Sequence, residues 1–534
     1  MSGRWFLLMS FLISLCTSLF VLSSVPAFQA YGDVSIYSSL GREIAMNGFL
    51  IPQTNTLHYP GSVWIYPPVI PYMFAAIVSL TGPGTTEYFV FAFLGSILFS
   101  LTCIPFYYVG RILFTEQTGR FASLLYAVFP PSLYIIGWGG FPQLLGFFIV
   151  VWILYIALKV QDQEFHFLKY TILEGILLGI LSLSHDLSSF IVMLTFVSLS
   201  FYFVCRRLVL GRSSTVTRNI AFSVGSLAIG SVSVIAWYLP RIWWVIDAAL
   251  PGSSPVYRSY ATSSGHTISV LGAIYDDVFS QSPPVFGISI NLGLLVIMLV
   301  IFPIALAYLW RLKNSGDKNA IMALFLLVPA LIMLFEFRDS VLFSRVSYFV
   351  ALFAFPLFSR LAYVVIFTRR NPGLYRGDRP TGTINSALTV AVVVLVAANS
   401  ALALGLGYSL HTYNSPDGSQ NGGYLQVANF FLDNAMTRGK TVAAPGDLGF
   451  FISGYAGNPA LVYENYTLLT QPVEWNESHA AYVLIFQSAN SQSNVSSYVR
   501  DYGVSYVVIP STLTVYYSGY SLVFKDSNYC VYDA

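Results

Sequence analysis

Charge is what this chain has least of. Only 9% of its 534 residues are Asp, Glu, Lys or Arg, where soluble domains carry about a quarter. That shortage excludes a string of soluble domains, although the length alone would hold several. Cysteine is scarce too. Cys16, Cys103 and Cys205 lie in apolar runs and Cys530 stands alone near the C-terminus, so neither a disulfide framework nor a cysteine metal site is available. There is no P-loop, dinucleotide fingerprint or HExxH, which leaves nucleotide-driven transport and zinc proteolysis without support. Internal repeats and low-complexity tracts are not evident, and nothing points to a nucleic-acid partner.

What is present is apolar: 56% of residues are hydrophobic, and the mean hydropathy is +0.67. The composition is that of a polytopic α-helical membrane protein, with the lipid bilayer as its first partner. Apolar runs long enough to span occur near 5–25, 88–113, 121–137, 142–160, 168–184, 187–205, 219–239, 284–310, 319–336, 346–367 and 385–408. At roughly 20 residues per crossing these predict about eleven transmembrane helices. The first is long for a signal peptide and lacks a convincing small-x-small cleavage site, so it reads as a retained span. The run 66–81 is shorter, begins Tyr66-Pro67-Pro68, and reads as an interfacial or re-entrant helix.

Charge placement orients the chain. With 66–81 left out of the count, the external loops between spans hold only Arg42, Arg241, Arg258, Arg338 and Arg345. Most of the 26 Lys and Arg, from Arg4 through Arg379, fall on the other side. The positive-inside rule then predicts a cytoplasmic N-terminus and an extracytoplasmic C-terminus in a cell membrane. Residues 1–408 form the membrane domain in this reading, with a first external loop over 28–87 and a long one over 240–283. Loops as long as the latter are more often functional than connecting.

Residues 409–534 differ in composition, being rich in Asn, Ser and Tyr. Thr441–Pro445, Ala460–Glu464, Tyr482–Gln487 and Ser505–Pro510 read as buried strands, and Leu425–Met436 and Val495–Tyr502 as helices. A small α/β extracytoplasmic domain is predicted. The three N-x-Ser/Thr sequons, at Asn465, Asn476 and Asn494, all fall here, in mild support of the topology.

The polar loop after the first span, Tyr31 to Pro68, is the predicted working surface. It carries Asp33, Arg42, Glu43 and His58 before the Tyr66-Pro67-Pro68 turn. Asp33 alone can be read as an N-cap for a helix starting near Val34. The order Asp33, Tyr37, Ala45, Gly48, Pro52, Tyr66-Pro67-Pro68 resembles the first external loop of the GT-C glycosyltransferases, which include protein O-mannosyltransferases and the aminoarabinose transferase of lipid A. Those enzymes take a sugar from a polyprenyl-phosphate donor, such as a dolichyl phosphate, at the outer face of a membrane. The resemblance covers the first loop well and the plan of many spans plus a C-terminal domain more loosely.

The resemblance implies an inverting transferase that moves a sugar to a glycan, lipid or protein acceptor. Asp33 matches the family's first-loop aspartate, the base for the acceptor hydroxyl. Glu87 matches an acidic position at the start of the second span, where the helix macrodipole also favours an acid. Arg345, in Arg345-x-x-Tyr348, matches an arginine beside the donor phosphate, suited by its rigid fork of donors; an arginine snorkelling to the interface is the plainer alternative. His185, in Ser184-His185-Asp186, matches a basic position for the lipid phosphate if protonated, or else is an interfacial polar cap. Glu43, His58 and Tyr66 complete the candidate substrate contacts.

The sequence departs from the pattern in the next external turn. Gly137-Trp138-Gly139-Gly140-Phe141-Pro142-Gln143 has no acid where many relatives place a second aspartate, and Gln143 is the candidate to orient substrate there. A divalent metal is left open; it wants several carboxylate oxygens, with Asp33 and Glu87 the candidate ligands and loop acids such as Asp276 in reserve. Trp243-Trp244-Val-Ile-Asp247 is not taken as an oligosaccharyltransferase W-W-D motif, which belongs in the C-terminal domain; paired interfacial tryptophans explain it. The alternative from another class is a non-catalytic or transport protein for lipid-linked saccharides. The missing aspartate favours it, and the lack of inverted repeats speaks against it.

Overall fold

The computed structural model describes residues 3–23, 33–241, 317–367 and 422–534, apart from short stretches of which 162–165, 211–213, 336–339, 464–471 and 487–494 are the longest. The apolar runs 284–310 and 385–408, the long loop beyond residue 241 with Asp276, His58, and the sequons at Asn465 and Asn494 lie outside the described residues.

A hydrocarbon core about 30 Å thick needs about 20 helical residues. Among the described residues five helical stretches are long and apolar enough. They are α1 (Gly3–Ser23), the pair α4 (Thr85–Leu101) and α5 (Cys103–Leu113), α7 (Phe141–Lys159), α9 (Asp186–Leu210) and α10 (Ser214–Tyr238). The chain is a multi-pass membrane protein. Between α1 and α4 lie α2 (Asp33–Met46) and α3 (Val69–Thr81). With 13 residues, α3 is too short to cross, in keeping with the interfacial or re-entrant reading.

In the run 121–137, α6 (Glu116–Tyr126) has 11 residues, and helical residues recur at 132–133 and 135–136. The predicted spans 168–184, 319–336 and 346–367 coincide with α8 (Phe167–Ser182), α11 (Asp317–Phe335) and α12 (Ser340–Phe367). One continuous apolar core joins these helices, with Phe147, Phe196, Phe325 and Phe349 among its largest fully buried side chains.

The C-terminal domain begins with α13 (Gly422–Asp433) and continues β1 (Thr441–Pro445), α14 (Gly446–Ala456), β2 (Ala460–Tyr463), α15 (Pro472–Phe486), α16 (Val495–Asp501), β3 (Val504–Pro510), β4 (Ser521–Lys525) and β5 (Tyr529–Asp533). The strands form one mixed sheet in the order β2-β1-β3-β5-β4. β1 pairs in parallel with β2 and β3, while β5 pairs antiparallel with β3 and β4. Three predicted strands are present. The fourth, Tyr482–Gln487, is instead the last turn and a half of α15, because an apolar run packed on a sheet has the same composition in either conformation.

α14 is the joint between the two parts. Leu448 and Ile452 face the sheet, while Phe451 and Tyr455 join the membrane-domain core. The rings of Phe451 and Tyr455 lie 5.5 and 6.0 Å from that of Tyr88 in α4. The opposite wall of the joint is α2. The Ser38 and Tyr88 hydroxyls are 2.5 Å apart, and Arg42 donates to the Tyr455 carbonyl at 2.9 Å. Ser453 donates to the Leu57 carbonyl at 3.0 Å, and that oxygen also accepts the Ala460 N–H. The approach is close enough to need glycine twice. A Cβ on Gly454 would fall 1.8 Å from Ser38 Oγ, and one on Gly41 would fall 2.4 Å from Phe74 Cβ of α3.

Gly454→Ala should therefore push α14 off α2 without touching either core. The expected cost is about 1–3 kcal/mol, the range for overpacking. It should read out as a lower melting temperature in detergent and faster proteolysis between the two parts; a melt equal to wild type would show that the joint is looser than drawn.

Candidate active site at the domain end of the bundle

The first loop is folded by α2's own side chains. Glu43, 2% exposed, accepts through Oε1 the N–H groups of Thr56 (2.8 Å) and Leu57. A buried carboxylate holding two backbone donors pins the loop to the helix that carries it. Leu40 and Ile44 pack with Trp64 and Ala75, and Tyr37 meets Tyr66 edge-on at 6.3 Å. Arg241, at the end of α10, donates to the Trp64 carbonyl at 2.8 Å and lies 3.9 Å over the Trp237 ring. Glu43 is thus engaged by the loop backbone, and Tyr66 is half-buried against α2.

Asp33 is the first residue of α2, one helical turn before Tyr37, and Glu87 lies in the first turn of α4 beside Tyr88. Their positions are given by the backbone; their side chains are outside the described set.

The turn between α8 and α9 approaches the loop from below. Val69 donates to the Leu183 carbonyl at 3.0 Å, so α3 starts against this turn. Tyr238 donates its hydroxyl to Asp186, the first residue of α9, and Tyr37 lies near Tyr238. His185 caps α9: its Nδ1 accepts the Ser188 N–H at 3.2 Å and lies 2.5 Å from Ser188 Oγ. An imidazole accepting through Nδ1 carries its proton on Nε2. Burial, and after it the charge of Arg345, pushes the His185 pKa down to about 3. Without a ligand His185 is thus a neutral Nε2–H donor.

Arg345, half-buried in α12, is therefore the cation of the site. Its level is fixed by packing. Phe147 of α7 meets Phe349 of α12 edge-on at 5.0 Å, and one turn back along each helix stand Gln143 and Arg345. Independently, a Cβ on Gly146 would fall 2.3 Å from Ser188 Oγ and 3.5 Å from His185 Nδ1. The starts of α7 and α9 thus meet near His185, with Arg345 close enough for its charge to act on the ring, and two helix starts add positive potential to that of the guanidinium. Tyr348, 3% exposed, packs in the core one turn below. Gln143 is 1% exposed, and neither Nε2 nor Oε1 meets a hydrogen-bond partner. The sequence reading missed Tyr238, Ser188 and Arg241; only Arg241, as one of few basic residues outside the predicted cytoplasmic loops, carried a signal. Among the described residues no three His, Cys, Asp or Glu side chains gather as metal ligands.

The fold has solved counterparts. Oligosaccharyltransferase AglB of Archaeoglobus fulgidus, in complex with an inhibitory peptide and a dolichol-phosphate, matches with a TM-score of 0.56 at 15% identity, over 95% of this chain and 69% of that one. The same protein tethered to an acceptor peptide reaches 0.59. ArnT of Cupriavidus metallidurans, bound to undecaprenyl phosphate, matches at 0.54 and 13% identity over 98% of this chain and 97% of that one. The fold is similar to that of the GT-C membrane glycosyltransferases. No family model and no curated protein matches the sequence, so the likeness is one of fold, covering the membrane part and the C-terminal domain together.

His185 gives the site a pH signature. Its folded pKa lies below that of the unfolded chain, so the unfolded chain binds more protons in the range between them; stability is full above about pH 6.5 and falls as pH drops. His185→Asn keeps a capping acceptor but cannot titrate. Between pH 7 and 5 the wild-type melting temperature should fall more than that of His185→Asn, by an amount worth about 1 kcal/mol, allowing for the ring's partial exposure. Parallel melts would contradict the cap.

Proposed function

We propose that the chain is an inverting membrane glycosyltransferase that transfers a sugar from a polyprenyl-phosphate carrier to an acceptor hydroxyl, at the extracytoplasmic face that carries the C-terminal domain. The observation that carries this reading is the convergence of Arg345, the neutral His185 donor and two helix starts at the end of an apolar bundle, beneath a loop that opens with Asp33. A lipid-linked phosphate fits such a place: its tail lies among apolar helices and its head meets Arg345. AglB with dolichol-phosphate and ArnT with undecaprenyl phosphate support the reading as proteins of the same fold that hold such carriers.

In the proposed step the acceptor oxygen attacks the anomeric carbon while the bond from that carbon to the phosphate oxygen breaks. The hydroxyl proton passes to the Asp33 carboxylate, and the polyprenyl phosphate leaves with the bonding pair. Arg345 stabilises the added negative charge, and His185 donates through Nε2. Since the phosphate is already the leaving group, positioning and electrostatics suffice and no nucleotide is needed. The C-terminal domain, docked against the loop through α14, is placed to recognise the acceptor.

Asp33→Asn should reduce sugar transfer from dolichyl-phosphate or undecaprenyl-phosphate hexoses by 10²–10⁴-fold, the usual contribution of general base catalysis, with donor binding kept. Arg345→Gln should weaken donor binding instead. Equal turnover by Asp33→Asn and wild type would remove Asp33 from the mechanism. Binding without turnover in wild type would favour the non-catalytic alternative.

A further inference from the structure

The unpartnered Gln143 amide says what lies next to the phosphate. On a helical wheel Gln143 falls between Gly146, which abuts Ser188 and His185, and Phe147, which abuts Phe349. Side chains on a helix lean towards its N-terminus. Gln143 is thus aimed at the space between the start of α9 and the Arg345 turn of α12, at the end of the bundle beneath the first loop. Its side chain is 1% exposed, and both its polar atoms lack partners. Buried polar groups in folded proteins are almost always hydrogen-bonded, so the position is built for something that arrives.

The two orphaned atoms define that partner. Nε2 needs an acceptor and Oε1 needs a donor. The donor's phosphodiester monoanion offers acceptors only and would leave Oε1 bare; it is served instead by Arg345 and by His185 Nε2–H. A sugar hydroxyl both donates and accepts, and a pair on neighbouring ring carbons can meet both ends of one amide. We propose that Gln143 is a sugar-reading residue: its amide holds hydroxyls of an uncharged donor hexose, next to the anomeric phosphate. The proposal rests on the glycosyltransferase reading above and adds the part of the donor that reading leaves open. It also gives the turn without an acid a role of its own, since a neutral amide selects a neutral polyol where a carboxylate would accept hydroxyl protons only or bind a cation.

The test compares full-length wild type, Gln143→Leu and Gln143→Met for binding of dolichyl phosphate alone, dolichyl-phosphate mannose and dolichyl-phosphate glucose, with melting temperature recorded in parallel. Leu and Met fill the space of Gln without its polar atoms. Both variants should keep dolichyl phosphate affinity within twofold, lose at least tenfold for whichever hexose donor wild type binds, and melt at or above the wild-type temperature. A structural role for the amide would instead lower both melting temperatures. An equal loss for dolichyl phosphate and the hexose donor would make Gln143 a phosphate contact and overturn the proposal. Unchanged affinity for the hexose donor would overturn it too, leaving the amide to bind water only. Failure of wild type to bind any of the three carriers would overturn the glycosyltransferase reading itself, an outcome distinct from a loss confined to Gln143.

Discussion

A polar helix held on every side is the constraint from which the rest follows. α2 carries Asp33 at its start, yet it is neither a span nor a surface helix. Ser38 meets Tyr88 and α14, Gly41 meets α3, Arg42 reaches the Tyr455 carbonyl, and Glu43 folds the following loop back onto the helix. Two of these contacts use charged side chains, Arg42 and Glu43, that a membrane span would avoid and a soluble helix would turn to water. Enclosure turns those polar groups into fixed points, because a buried donor or acceptor that loses its partner costs about 1–3 kcal/mol. A reacting group at the head of such a helix is positioned by the whole joint.

The electrostatics beneath α2 are economical. Among the described residues the cation that acts on His185 is Arg345. The nearby acid, Asp186, is engaged by Tyr238, and the histidine is neutral because burial, and after it the charge of Arg345, disfavours its protonated form. The site presents one strong anion hold and several neutral donors and acceptors. That division suits a ligand with one charged end and an uncharged, hydroxyl-rich remainder better than it suits two charges of like sign.

How much of this was legible in the sequence follows from which signals are local. Charge contrast marked the loop from Tyr31 to Pro68, and the length of the apolar run marked α3 as too short to cross. Strands Thr441–Pro445, Ala460–Tyr463 and Val504–Pro510 were visible as apolar runs between turn residues. Tyr482–Phe486 was misread because a buried helix face and a buried strand share a composition. α14 went unassigned, although Gly457, in a left-handed conformation at its end (φ 80°), is an ordinary helix stop. The roles of Glu43 and His185 turned on partners: the first became the clamp of its own loop and the second a helix cap, because only the fold decides which backbone groups lie within reach. Gln143 was noticed for the aspartate it replaces, and what the structure adds is that it is buried with nothing to bind.

The joint also sets when the site can exist. Arg42 and the carbonyl it holds are 413 residues apart. At a synthesis rate of about 5–20 residues per second, roughly 20–80 s separate their emergence from the ribosome. For that interval α2 has no α14 to lean on, and Leu57 lacks both of its donors from the C-terminal domain. Until then the first loop lacks the contacts that fix it, so its order follows the folding of the part that carries α14.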